Sequence, residues 1–365
     1  LRGNKDLTWE KSNNFNLGAE LGLWDRIDVN LDFFIKETKD MLYQSPLATS
    51  EGSPTYIYRN EMDMKNTGFE FDINANIIDN KNFKWNVALN GTTYKNKLTK
   101  LPASKPASDY PDGYQAGLYW RKLGGSLYDF YVYEYAGVDP ETGRRVVLLD
   151  DANGNATREA LLVYTYGQGA SVYDRTTGEA LDIDDWNPHI MGNTKPTYYG
   201  GWTNNFSWKG WDATLFFQFS GGNKIYNGMK ATMSDMRFWN NSTDVYKTIW
   251  RQPGDVSDYA KPEVNDNYSN GSANPISDFI ENGDYLRLKN LVIGYTFNTK
   301  NWSKKIGISQ LRLYATATNL FCITGYSGMD PEINSRADSS NTISGIDKNT
   351  APLTRTYSFG VNLSF

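Results

Sequence analysis

The chain has 365 residues, with 37 Lys and Arg against 42 Asp and Glu and a formal net charge of -5, so it offers no basic surface for nucleic acid. Its one cysteine, Cys322, excludes an internal disulfide or a thiolate metal cluster, and its one histidine, His189, excludes a two-histidine metal site. Mean hydropathy is -0.60 and aromatic content 15%, and no stretch approaches the roughly 18 consecutive apolar residues that a transmembrane helix needs.

Period-two alternation begins near the N-terminus. Phe15, Leu17, Ala19, Leu21 and Leu23 alternate with Asn14, Asn16, Gly18, Glu20 and Gly22. After Asp25-Arg26 it resumes as Ile27, Val29, Leu31, Phe33 and Ile35 against Asp28, Asn30, Asp32 and Lys36. A short polar link between two such runs predicts a hairpin. Phe69, Phe71, Ile73, Ala75 and Ile77 form the next run, and the turn Asp79-Asn-Lys-Asn82 leads into Phe83, Trp85, Val87 and Leu89. Ser126–Gly137 reads as a further strand, followed across Asp139-Pro-Glu-Thr-Gly143 by Arg144–Asp150. Trp202, Asn204, Phe206 and Trp208 precede Lys209-Gly210, and Trp211, Ala213, Leu215, Phe217 and Phe219 follow it. The last strands are Tyr285–Phe297, with a bulge expected near Lys289-Asn290-Leu291, then Gln310–Phe321 and Thr354–Phe365.

In the final strand Tyr357, Phe359, Val361, Leu363 and Phe365 line one face, with Ser358, Gly360, Asn362 and Ser364 on the other. A sheet with lipid on one side and water on the other needs this dyad. Only every second strand residue meets lipid, so a negative mean hydropathy is compatible with a membrane. The expected fold is all-β, a transmembrane antiparallel β-barrel occupying residues 1–365 as one unit. Long polar segments near 44–66, 97–124, 221–283 and 323–352 are expected to be extracellular loops, opposite short periplasmic turns.

Strand direction limits the count. The strand ending near Asn96 leaves on the long-loop side and the one starting near Tyr198 returns from it, so an even number must cross between them. Counting Ser126–Gly137 and Arg144–Asp150 gives about eleven, half of the largest transporter barrels. The rest is expected from elsewhere in the polypeptide, and Leu1-Arg-Gly-Asn reads as mid-protein sequence.

Several stretches carry a family resemblance. They are Leu7-Thr-Trp-Glu10, Asn66-Thr-Gly-Phe-Glu70, Tyr133-Glu-Tyr-Ala-Gly-Val-Asp-Pro140, Tyr198-Tyr-Gly-Gly201, Tyr285-Leu-Arg-Leu-Lys-Asn-Leu291 with Gly294-Tyr-Thr296, Asn319-Leu-Phe321 with Asp330-Pro-Glu332, and Arg355–Phe365. In order and across nearly the whole chain, they resemble the C-terminal half of the barrel of SusC-like (SusC/RagA) TonB-dependent outer-membrane transporters of Bacteroidetes. The resemblance implies a barrel of about 22 strands, a plug and a TonB-interacting segment in a missing N-terminal region, and a SusD-like surface lipoprotein as partner. It also implies active import of oligosaccharides or peptides, in pairs that can dimerise. The alternatives are a passive porin or surface adhesin barrel and, from another class, a soluble β-sandwich carbohydrate-binding or hydrolytic protein.

No residue pattern points to an enzyme or a cofactor. The loop acids Asp184-Asp185, Asp255 and Asp258 are the only candidates for paired carboxylates, and Asp151-Ala-Asn-Gly-Asn155 only begins like a calcium loop, with no glutamate at its end. Loop aromatics can stack on sugar faces or clasp peptides. Tyr119, Trp120, Phe238, Trp239, Trp250 and Tyr326 are the expected substrate contacts. Tyr357, Phe359 and the terminal Phe365 are the expected barrel-assembly signal.

Overall fold

The computed structural model describes residues 3–47, 50, 56–182, 187–237, 241–266, 268, 275–297, 307–332, 344–348 and 350–365. In chain order, β1 (Lys11–Leu23), β2 (Ile27–Pro46), β3 (Tyr56–Asp79) and β4 (Phe83–Lys100) form an antiparallel meander. Eight shorter strands follow: β5 (Tyr114–Ala116), β6 (Tyr119–Arg121), β7 (Asp129–Val132), β8 (Glu134–Val138), β9 (Arg145–Asp150), β10 (Ala156–Thr165), β11 (Gly169–Asp174) and β12 (His189–Asn193). The long strands resume with β13 (Tyr198–Trp208) and β14 (Trp211–Gly221), then β15 (Lys224–Asn227), helices α1 (Gly228–Met233) and α2 (Thr243–Thr248), and β16 (Ile280–Asn282). The chain ends with β17 (Tyr285–Phe297), β18 (Gln310–Thr324), β19 (Ile346–Asp347) and β20 (Thr356–Ser364).

Nine strands make the principal sheet, in the order β1-β2-β3-β4-β13-β14-β17-β18-β20. Its register keeps apolar residues on one face: Ala19, Leu31, Phe71 and Gly91 are successive partners, continuing through Gly200 and Phe219. The chain's own packing leaves this face open, and Phe359 and Phe365 are 86% and 85% exposed. Asn204, a buried polar residue on that face, accepts the Trp85 indole N–H at 3.2 Å, which satisfies it away from water. Toward the short turns the face becomes aromatic. Trp85 stacks on Phe206 at 5.7 Å, and Trp211 meets Tyr295 at 4.9 Å, as in an interfacial girdle. The expected bulge is present, since both partners of β17 step over Lys289.

Two expectations need correction. β2, β3 and β4 have 20, 24 and 18 residues, where roughly 9–11 suffice to cross a bilayer. They carry ladder pairing through much of 44–66 and to Lys100. Secondly, Ser126–Gly137 and Arg144–Asp150 do not cross. β4 pairs directly with β13, so the even number between them is zero, and the sheet has nine strands rather than about eleven. The reason lies in Val146-Val147-Leu148-Leu149, which is apolar without alternation and suits a strand buried on both faces.

These short strands instead build a lobe at the long-connection end. β12-β7-β6-β5 and β11-β10-β9-β8 are two antiparallel sheets, and β16-β15-β19 is a third with a parallel β15–β19 pair. All three contribute to one core that includes Phe130, Val147, Leu162, Tyr226, Phe279 and Ile346. Gly124 and Gly125 bond Leu98 at the tip of β4, and Thr197 bonds Tyr94 on the return.

Candidate functional site: a polar wall, a lobe and a latch

The water-side face of the principal sheet is lined by amides and carboxylates. Asn30, Asp32, Glu70, Asp72, Asn90, Thr92 and Tyr199 border a hollow of about 270 Å³. Asn86 donates to Asn74 at 2.7 Å and to Asn76 at 3.1 Å, Asn205 donates to Asn86 at 3.4 Å, and Thr214 to Asn205 at 2.9 Å. This ladder satisfies the amides across four strands and fixes their orientation while leaving donors and acceptors facing water. Glu70 accepts from Thr92 at 3.3 Å.

In the lobe, three of the six aromatic residues expected to meet substrate serve the chain's own packing. Tyr119 is 3% exposed; its hydroxyl donates to the Ser344 carbonyl at 2.6 Å and accepts from the Ser344 N–H at 2.9 Å. Trp250 lies on Gly143, and its indole donates to the Pro140 carbonyl at 2.8 Å. Tyr326 is buried and donates to Asp347 at 2.9 Å. Trp120 is different: it is half-buried, packs at a tilt against half-buried Tyr131 with ring centroids 4.4 Å apart and donates to the Asp112 carbonyl at 2.7 Å. Phe238 and Trp239, like Asp184-Asp185, lie outside the described residues. Of the four that are described, three are enclosed in the lobe and Trp120 alone keeps an accessible surface.

The turn Val138–Gly143 shows why its sequence takes this form. Asp139 accepts from both the N–H and the hydroxyl of Thr142, and Arg175 reaches it at 2.8 Å. Burial alone would raise the Asp139 carboxyl, but the Thr142 bonds and Arg175 outweigh it and hold it low. Gly143 has φ +69° beneath Trp250, a conformation and clearance suited to glycine. Asp174 is held at about 2 by its hydrogen bond from Arg158, assisted by the N–H groups of Thr177 and Thr176. Asp151, the first residue of the calcium-like stretch, accepts from the N–H groups of Asn153 and Asn155 and from Thr157, which makes it a turn cap. Among the described residues, no group of three His, Cys, Asp or Glu has metal-binding geometry.

Among the described residues Arg145 is the largest wholly buried side chain. Its guanidinium lies 4.9 Å from the Tyr135 ring and 5.4 Å from Phe279, with Asp278 at 3.4 Å. Burial pushes the Tyr135 hydroxyl up to about 12 despite this cation. His189 Nε2 sits 2.9 Å from Asp150, tying β12 to β9.

A feature the sequence reading did not connect is a buried ionic latch. Arg287 on β17 lies 2.5 Å from Asp330 and 2.5 Å from Glu332, and Lys289 adds a contact to Glu332 at 3.0 Å. Asp330 also accepts from the N–H groups of Glu332 and Leu353. The connection after β18 is thereby clamped to the principal sheet. The detectable signal was a lone arginine at a water-facing strand position with an Asp-Pro-Glu in the following loop.

Fold and site together define a segment of an outer-membrane β-barrel bearing an extramembrane lobe. The profile of the family described as "TonB dependent receptor-like, beta-barrel" matches residues 1–147. TonB-dependent receptor P3 of Formosa agariphila is 31% identical over 99% of this chain, and TonB-dependent receptor SusC of Bacteroides thetaiotaomicron is 27% identical over 99%. The chain spans 35% and 32% of these relatives, about a third of their length. Among solved structures, the RagAB peptide transporter matches 100% of this chain and 36% of its own with a TM-score of 0.76 at 25% identity. The closed-closed state of the RagAB peptide importer reaches 0.78 at 25% identity. The chain is thus a homologue of TonB-dependent receptors, SusC among them, and resembles the RagAB transporter in fold.

Proposed function

We propose that the polypeptide carrying this chain imports oligosaccharides or peptides across the outer membrane, driven by TonB and capped by a SusD-like lipoprotein. In this reading residues 1–365 are the C-terminal part of the barrel, with short turns periplasmic and the lobe outside. The observation that carries the reading is a water-side wall of amides and carboxylates beneath a lobe of about 100 residues inserted between neighbouring barrel strands. Such a wall offers weak, repeated hydrogen bonds to a polar oligomer as it passes. Trp120 with Tyr131 is the aromatic platform that best fits a first contact, because it keeps an accessible surface. Supporting the reading are the relatives, named as TonB-dependent receptors, and the RagAB peptide transporter.

The test is extraction of the native protein in mild detergent, with intact-mass and peptide sequencing of everything that co-purifies. A plug-bearing polypeptide and a surface lipoprotein are expected, and a ligand held by the lipoprotein names the cargo class. A barrel without plug or lipoprotein would instead favour a passive porin or a surface adhesin.

A further inference from the structure

Along β1–β4 the lipid-facing positions change character within a few register rows. One row is Leu17, Phe33, Phe69 and Thr93; the next toward the long connections is Phe15, Ile35, Thr67 and Lys95. Beyond it come Asn13, Glu37, Lys65 and Lys97, and then Lys11 opposite Lys39. Strand periodicity places all of these on the face of Leu17 and Phe33. Acidic cover is partial: Glu37 lies 3.8 Å from Lys39 and 3.6 Å from Lys65, and Asp40 lies 2.8 Å from Lys11. Among the described residues Lys95 and Lys97 form no ion pair, and both are exposed.

Lys65 and Lys97 are direct register partners, which puts their Cβ atoms about 5 Å apart. Like charges opposed in this way destabilise a sheet unless an anion lies between them. The feature is local. On β14, β17 and β18 the corresponding face runs through Leu215, Phe217, Leu291, Ile293, Leu313 and Ile323 without lysine or arginine.

We propose that β1–β4 bind a phosphate-bearing lipid of the outer leaflet. Its acyl chains lie along Phe15, Phe33 and Phe69, and its headgroup phosphate sits among Lys65, Lys95 and Lys97. The rows step by roughly 7 Å per residue pair, so the lysines stand one to two steps beyond the row of Leu17, Phe33, Phe69 and Thr93, at headgroup height. The site uses the orientation proposed above, with the long connections outside.

The test is native mass spectrometry of the full-length receptor purified from outer membranes in mild detergent. Wild type is expected to retain a lipid of acyl-chain mass that carries phosphate. Each lysine near a lipid surface contributes roughly fivefold, so the variant Lys65→Gln/Lys95→Gln/Lys97→Gln should lose retention by about a hundredfold. The matched Lys-to-Arg triple variant should keep it. Equal retention in the glutamine variant overturns the site. So does a wild-type adduct that lacks acyl chains and is displaced by excess inorganic phosphate, since that is a free-phosphate site. If the glutamine variant does not reach the folded, heat-modifiable form, Glu37→Gln decides. Higher retention on losing that competing carboxylate supports the site, and unchanged retention overturns it.

Discussion

Replacing Asp330 by alanine isolates the latch. Asp330 and Arg287 have side chains only 2% and 5% exposed, so the guanidinium would stay buried with Glu332 as its sole strong counter-charge. Removing one partner of a buried ion pair costs about 3–5 kcal/mol. The N–H groups of Glu332 and Leu353 lose their acceptor as well. β17 keeps its ladders to β14 and β18, so the loss is confined to the connection after β18. Even about 3 kcal/mol raises a local opening equilibrium more than a hundredfold. Hydrogen exchange of the full-length receptor should therefore show fast amides over residues 326–332 and at Leu353, with β17 and β18 still protected. Replacing both partners by apolar residues, Arg287→Met with Asp330→Leu, should be milder than Asp330→Ala alone, because no unpaired charge remains buried. Unchanged exchange over 326–332 in Asp330→Ala would refute the latch.

Four further outcomes follow from other contacts. Asp174 is held at about 2 against an ordinary 3.8, a full shift worth about 2.5 kcal/mol, which screening at the partly exposed Arg158 reduces to about 1 kcal/mol. A depressed carboxyl stabilises above its unfolded value, so cleavage of the β10–β11 hairpin by an acid protease should rise as pH falls from 4 toward 2, and Asp174→Asn should flatten that rise. In Gly200→Ala the new Cβ would lie 2.2 Å from the Asn90 carbonyl, costing about 1–3 kcal/mol and lowering the temperature at which the folded band is lost on unheated gels. Trp120→Ala should weaken cargo affinity by about 1 kcal/mol in titration calorimetry and leave barrel melting unchanged. Deleting Phe365, which is 85% exposed on the outward face, should lower the folded fraction reaching the outer membrane several-fold, with no change in the melting of what does assemble.

The principal sheet was legible because lipid on one side and water on the other impose period two, and nothing local competes with that. Even the bulge at Lys289 showed as a slip of phase. The strand count went wrong at Val146–Leu149, where a continuous apolar run is equally consistent with a crossing strand and one enclosed in a lobe. Three of the expected aromatic contacts, Tyr119, Trp250 and Tyr326, are enclosed for a related reason. Tyr119 finds Ser344 and Tyr326 finds Asp347, pairings set by how three sheets meet. Composition marks such residues as loop aromatics and says nothing of which ones the lobe encloses. The latch was hidden in the same way, since its two halves are 43 residues apart.

β4 hands directly to β13, so the lobe's ends are anchored one strand spacing apart, at Tyr94 and Thr197. A segment whose ends are held that close can change in length or sequence at little cost to the scaffold, because closure entropy grows only slowly with loop length. The exposed turns within residues 101–197 can therefore vary in length while the barrel register stays fixed, and only Phe130, Val147, Leu162 and their neighbours are held to the core they share with Tyr226, Phe279 and Ile346.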